Sequence, residues 1–135
     1  MVTEAIGDRK VDASEEFAQE LIRRGSPLLA AYWELREELG GWRLVLVPTV
    51  AEEERRLIKD ATNLLDEAPY RATLSLFDSA IDSHQIDRAR ALAAYIRVQP
   101  YSGQRFDKTF TGRQYFESVI PLYFKPELLT QAVAS

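Results

Sequence analysis

Two groups of residues in this 135-residue chain have types and spacing that can do chemistry. The first is Asp78, Asp82 and His84, with Glu52 and Ser83 expected nearby. Two carboxylates four residues apart can hold a hard cation, and the chain's single histidine can move a proton beside them. That is the equipment of metal-assisted hydrolysis or a nuclease, with Arg97 or Arg105 stabilising developing negative charge. The second group is Arg105, Lys108 and Arg113, interleaved with Tyr101, Phe106, Phe110, Tyr115 and Phe116. Aromatic faces stack on bases while cations meet phosphates, which is how single-stranded nucleic acid is gripped.

Each group also has a plainer reading. Asp82 and Thr49 suit helix caps, Asp78-Ser79 suits a turn, and a histidine in the first turn of a helix is ordinarily solvated. Aromatics are favoured in any strand, and the bases can form its solvated face or complement acidic helices of the same chain.

Charge distribution favours the second group as a binding surface. Residues 1–87 carry 18 acids against 10 Lys or Arg, whereas residues 88–125 carry seven bases against Asp107 and Glu117. Eight of the fourteen aromatics fall between Tyr95 and Lys125. An acidic body with a basic, aromatic C-terminal third suggests a surface for an anionic partner. The net charge of −4 argues against a generic nucleic-acid coat, while leaving room for a local patch.

Other chemistries find no residues. The absence of cysteine excludes disulfides, thiolate metal sites and Cys nucleophiles, and one histidine cannot build a multi-His zinc site. P-loop, Gly-x-Gly-x-x-Gly, His-Glu-x-x-His and Gly-x-Ser-x-Gly patterns are missing. No cofactor and no metal are therefore expected. The N-terminus lacks a basic region followed by an apolar run, and no apolar run approaches the roughly 18 residues of a spanning helix. The expectation is a cytoplasmic protein without membrane association.

The elements that must position these groups follow from hydrophobic periodicity. Residues 1–11 are unpatterned and expected to be flexible, with 12–135 forming one globular domain. Asp12 or Ser14 caps a first helix that stops at Gly25. Ser26-Pro27 reads as the start of a second helix, because Leu28, Ala31, Tyr32, Leu35 and Leu39 recur at helical spacing before Gly40-Gly41. Trp42–Val47 is the clearest strand, apolar enough to be covered on both faces. Thr49 to Glu52 reads as a capping box opening a third helix that ends before Pro69. Thr73–Phe77 reads as a second strand. Asp82 caps a fourth helix whose buried stripe is Ile86, Ala89, Leu92, Ala93 and Ile96.

Gln104–Thr111 and Gln114–Phe124 then form a hairpin. Simple alternation would place Phe106, Lys108 and Phe110 on one face and Arg105, Asp107 and Thr109 on the other. Pro121 requires an edge or a bulge, since proline lacks the ladder donor. The order predicts an α/β fold, with α+β as the alternative. A small mixed sheet contains a parallel strand–helix–strand unit and a C-terminal antiparallel hairpin, packed by about four helices.

The leading functional expectation is a small non-enzymatic binding or accessory protein. It would engage a protein or anionic partner, or a second copy of itself as a homodimer, through Arg105, Lys108, Arg113, Tyr101, Tyr115 and the edge around Pro121. The alternative is a small metal-dependent hydrolase or nuclease built on Asp78, Asp82 and His84 at the carboxyl ends of the parallel strands.

Overall fold

The computed structural model describes residues 8–36, 38, 40–67, 70–74, 79–96, 104–111 and 113–129. Helix α1 (Asp8–Arg23) is followed by strands β1 (Leu28–Arg36) and β2 (Gly41–Pro48). A 3-10 turn at Ala51–Glu53 leads into α2 (Glu54–Leu65), then the short α3 (Tyr70–Thr73) and strand β3 (Ser79–Ile81). A second 3-10 turn, Ser83–Gln85, opens α4 (Ile86–Ile96), and the hairpin β4 (Phe106–Thr111) and β5 (Gln114–Phe124) follows. Residues 126–129 are helical.

The strands form one mixed sheet in the order β3-β2-β1-β5-β4. Among the described strands only the β2–β3 pair is parallel, and α2 lies in its connection, as the α/β reading required. Helices cover both faces. On one side Phe17, Ala18 and Leu21 of α1 and Leu57, Ala61 and Leu64 of α2 pack on Leu28, Ala31, Trp33, Leu44 and Leu46. On the other, Ala89, Leu92, Ala93 and Ile96 of α4 pack on Ala30, Tyr32, Val45, Val47 and Phe116.

The largest departure from the periodicity is β1, expected as a helix. Seven of the eight residues Leu28–Leu35 are apolar. A helix would bury the Leu28, Ala31, Tyr32, Leu35 stripe and leave Leu29 and Trp33 outside it. As the central strand, between β2 and β5 with helices on both faces, β1 buries them all. Tertiary burial thus overrides local spacing. Gly40 and Gly41, with φ of +87° and +134°, serve the chain reversal into β2 rather than a helix stop.

The start and stop of α1 explain why no second helix begins at Ser26. The helix starts at Asp8, four residues before the expected cap, so Ser14 lies inside it. Its buried hydroxyl donates to Val11 O at 2.9 Å and accepts from Trp33 Nε1 at 2.8 Å, fastening α1 to β1. At the other end Gly25 (φ +82°) donates to Ile22 O and Ser26 N to Leu21 O, a Schellman closure. The Ser26 hydroxyl then binds Asp60 of α2 at 2.8 Å instead of capping a following helix.

Two further expectations shift. Val50, not Thr49, stands at the cap position of the 3-10 turn before α2, with no side-chain cap bond, so the Thr49–Glu52 box does not form. Of the strand expected at Thr73–Phe77, Thr73 belongs to α3 and Leu74 lies outside any strand, whereas residues 75–77 lie outside the described residues; β3 begins at Ser79.

The hairpin forms where expected, but its alternation breaks. Phe106 pairs with Val119 and Thr109 with Phe116, and paired residues share a face. Phe106, Val119 and Phe116 all meet the α4-side core, so Phe106 and Thr109, three residues apart, face the same way. Lys108, which lies between them, has a left-handed φ of +47°. Pro121 is buried beside a register shift against β1, beyond the last β4 rung, so it satisfies the bulge requirement but provides no exposed docking edge.

The left-handed backbone at Lys108 costs a non-glycine residue about 1–2 kcal/mol. Lys108→Gly is expected to raise the urea midpoint and Lys108→Val to lower it. Equal midpoints for the two variants would show that no strain resides there.

Candidate functional site

The carboxyl ends of β2 and β3 do come together, but their polar groups are spent on backbone. Asp82 caps the 3-10 turn as expected: Oδ1 accepts from His84 N at 2.8 Å and lies 2.9 Å from His84 Nδ1. The imidazole is otherwise exposed, with 91% of its side-chain surface accessible. The Gln85 amide oxygen accepts from Tyr32 and Arg88. Glu54 of α2, not Glu52, reaches this corner, accepting from Ser83 N at 2.7 Å. Asp78 lies outside the described residues. Among the described residues no three His, Cys, Asp or Glu side chains are grouped to hold a metal.

The hairpin separates the expected binding residues into two kinds. Arg105 is engaged within the molecule: Nε donates to Asp107 Oδ1 at 2.8 Å, Nη2 donates to Ser118 Oγ at 3.3 Å, and the guanidinium lies 5.2 Å from the Trp42 ring centre. The Ser118 hydroxyl, with Arg105, holds the Asp107 carboxyl below the usual carboxylate range. Lys108, Arg113 and Tyr115 are exposed. Tyr115 is joined by a residue outside the expected binding set, Phe110, which is 73% exposed. The two are cross-strand partners with ring centres 4.7 Å apart. Thr111 Oγ1 donates to Ala91 O at 2.7 Å and Tyr95 packs edge-on against Phe106, tying β4 to α4. Tyr101 lies outside the described residues.

A third constellation was not expected from the sequence. Glu34 of β1 is buried on the α4 side and forms a close ion pair with Arg88 of α4. Arg88 is held from several directions. Its Nε donates to Gln85 Oε1 at 3.0 Å, Nη1 donates to Tyr115 O at 3.1 Å, and the guanidinium stacks 4.1 Å from the Phe116 ring centre. Tyr32 donates to the same Gln85 oxygen at 3.3 Å. Burial pushes the Glu34 carboxyl above its ordinary range, outweighing the opposing effects of Arg88 and Arg36. Burial likewise pushes the Tyr32 phenol upward.

Glu34 lines two clefts. One, of about 310 Å³, is bounded by Glu34, Arg36, Arg43, Val45, Ala80, Asp82 and Gln85. The other, of about 120 Å³, includes Arg36, Glu38, Arg88, Tyr115 and Glu117. The signal for this region was present as the lone acid in the run LLAAYWEL, but a helix reading puts it on a solvated face. No helix among the described residues is long and apolar enough to cross a membrane. The chain matches no protein-family model, no curated protein and no solved structure at a significant level.

Removing Arg88 alone leaves a buried unpaired carboxylate, so Arg88→Met should cost about 3–5 kcal/mol near neutral pH. Glu34→Leu combined with Arg88→Met should recover most of that loss in urea denaturation; a deficit as large in the double variant would show that the pair's charges are not its source.

The raised Glu34 pKa has a defined sign. Between the ordinary glutamate range and the elevated folded value, the folded state binds more protons, so stability falls as pH rises through that window and is level above it. Asp107 and Glu67, lowered by hydrogen bonds, act oppositely, losing stability as pH falls below the ordinary range. Subtracting the Glu34→Gln stability profile from the parent's should leave only the falling leg. A flat difference would mean that Glu34 titrates like an exposed glutamate.

Proposed function

We propose that this chain is a small non-enzymatic binding protein whose β4–β5 hairpin grips a single-stranded, anionic polynucleotide. The observation that carries this reading is the outward-facing Phe110–Tyr115 pair with the exposed cations Lys108 and Arg113 on the same hairpin. Stacked aromatics offer π faces to bases in any sequence, and adjacent cations meet the phosphates. The side chains of Lys108 and Arg113 form no hydrogen bond or ion pair among the described residues.

The hairpin favours side-chain recognition over strand addition. Among the described strands β4 ends the sheet, yet its backbone is interrupted by the left-handed Lys108. A lysine and a kink on an outer strand discourage edge-to-edge pairing. A polynucleotide laid across the aromatic face needs no such edge.

Fluorescence anisotropy of a labelled oligothymidylate provides the test. The parent should bind at low salt and weaken steeply as salt is raised. Phe110→Ala should weaken binding by about tenfold or more, given that base stacking is worth ~1–3 kcal/mol. Lys108→Asn with Arg113→Ser should reduce the salt slope by about 1.4, the contribution of two phosphate contacts to a single strand. Asparagine tolerates the left-handed backbone at 108, so the fold should persist. No binding at low salt, or binding indifferent to these substitutions, would overturn the reading.

A further inference from the structure

We propose that Arg88 is the positioning residue of the polynucleotide surface: anchored on buried Glu34, it fixes the backbone at Tyr115 and so holds the Phe110–Tyr115 pair in the arrangement that meets bases. The role rests on the polynucleotide reading above and adds a residue beneath the surface to those upon it.

The aromatic pair sits where the sheet supports it least. β5 pairs with β1 from Phe124 only as far as Ser118, so its first residues, 114–117, lie beyond the last β1 rung. Among the described strands, Phe110–Tyr115 and Thr111–Gln114 are therefore rungs of a two-stranded ribbon. Such a ribbon by itself is marginally stable in water. Stacking on a base gains from rings already in place, because ordering a side chain at the moment of binding subtracts from affinity.

Helix α4 supplies the missing support, once on each strand. On β4, Thr111 Oγ1 donates to Ala91 O at 2.7 Å, one residue from Phe110. On β5, the Arg88 guanidinium meets three consecutive residues. Nη1 donates to Tyr115 O at 3.1 Å and to Gln114 Oε1 at 3.4 Å, and the guanidinium carbon lies 4.1 Å from the Phe116 ring centre. A held carbonyl fixes the peptide plane between Tyr115 and Phe116. With the Phe116 ring packed inward, that plane sets where the Tyr115 side chain leaves the strand. The Tyr115 ring centre in turn lies 4.7 Å from that of Phe110.

Arg88 holds the strand because it is itself held. Glu34 takes Nη2 and Gln85 takes Nε at 3.0 Å, which leaves Nη1 for β5. Partners on three sides of one plane use the fixed fork of a guanidinium, which an ammonium lacks. A buried ion pair adds little stability over an apolar pair of similar volume. What this pair adds is direction.

Glu34→Leu with Arg88→Met separates positioning from folding, because it removes the clamp while the core stays filled and apolar. NMR of the double variant should keep the β1–β5 cross-strand contacts and lose the Phe110–Tyr115 ring contacts of the parent. Its affinity for labelled oligothymidylate should fall by about tenfold, as for loss of one stacking ring. In a Tyr115→Ala background the same double substitution should cost no further affinity, whereas a general structural effect would add. Arg88→Lys, which keeps a charge for Glu34 and hence the fold, should weaken binding in the same direction. Parent-like ring contacts and affinity in the double variant, an undiminished loss in the Tyr115→Ala background, or parent-like affinity in Arg88→Lys would each overturn the proposal. A parent that does not bind oligothymidylate would overturn the polynucleotide reading and this role with it, while loss of the ring contacts in the double variant would still support the clamp.

Discussion

Burial of β1 on both faces is the constraint from which the rest of this structure follows. A strand with eight of its nine residues buried has no solvent to satisfy its backbone, so each edge must be paired. β2 and β5 supply those pairs, and the helices seal the faces: α1 and α2 on one, α4 on the other. The N-terminal helix is tied to the strand by the Trp33–Ser14–Val11 relay, which satisfies the indole N–H inside the core.

The same constraint makes Glu34 consequential. A carboxylate in a strand buried on both sides needs a cationic partner, and Arg88 provides it from α4. That pairing draws the first turns of α4 toward β1, where Arg88 also meets the Tyr115 carbonyl and the Phe116 ring. One side chain thereby joins α4 to β1 and β5. Glu34 lines both clefts described above, and Arg88 lines the smaller of them.

The basic C-terminal third therefore has two different destinies. Arg88 and Arg105 neutralise acids of their own chain, Glu34 and Asp107. Lys108 and Arg113 remain on the surface beside Phe110 and Tyr115. The left-handed Lys108 lies between Phe106, which packs beneath α4, and Phe110, which faces solvent. An internal complement and an external surface are thus both built from one charge-rich segment.

The sequence by itself determined the elements whose pattern is local. The stop at Gly25, the β2 strand, the Asp82 cap, the α4 stripe and the hairpin were legible because backbone preference, capping chemistry and short-range periodicity act within a few residues. It also marked the hairpin as the place where exposed cations and aromatics gather. Tertiary structure alone decided β1, because its helical spacing and its buried run are both present in the sequence and only two strand partners choose between them. That decision turned Glu34 from a solvated helix residue into a buried, partnered acid and created the cleft around it, which no spacing rule could place. It likewise decided which hairpin side chains face outward. Phe106 and Thr109 turn inward and Phe110 outward where β4 is held to α4 through Thr111 and Tyr95, contacts distant in sequence.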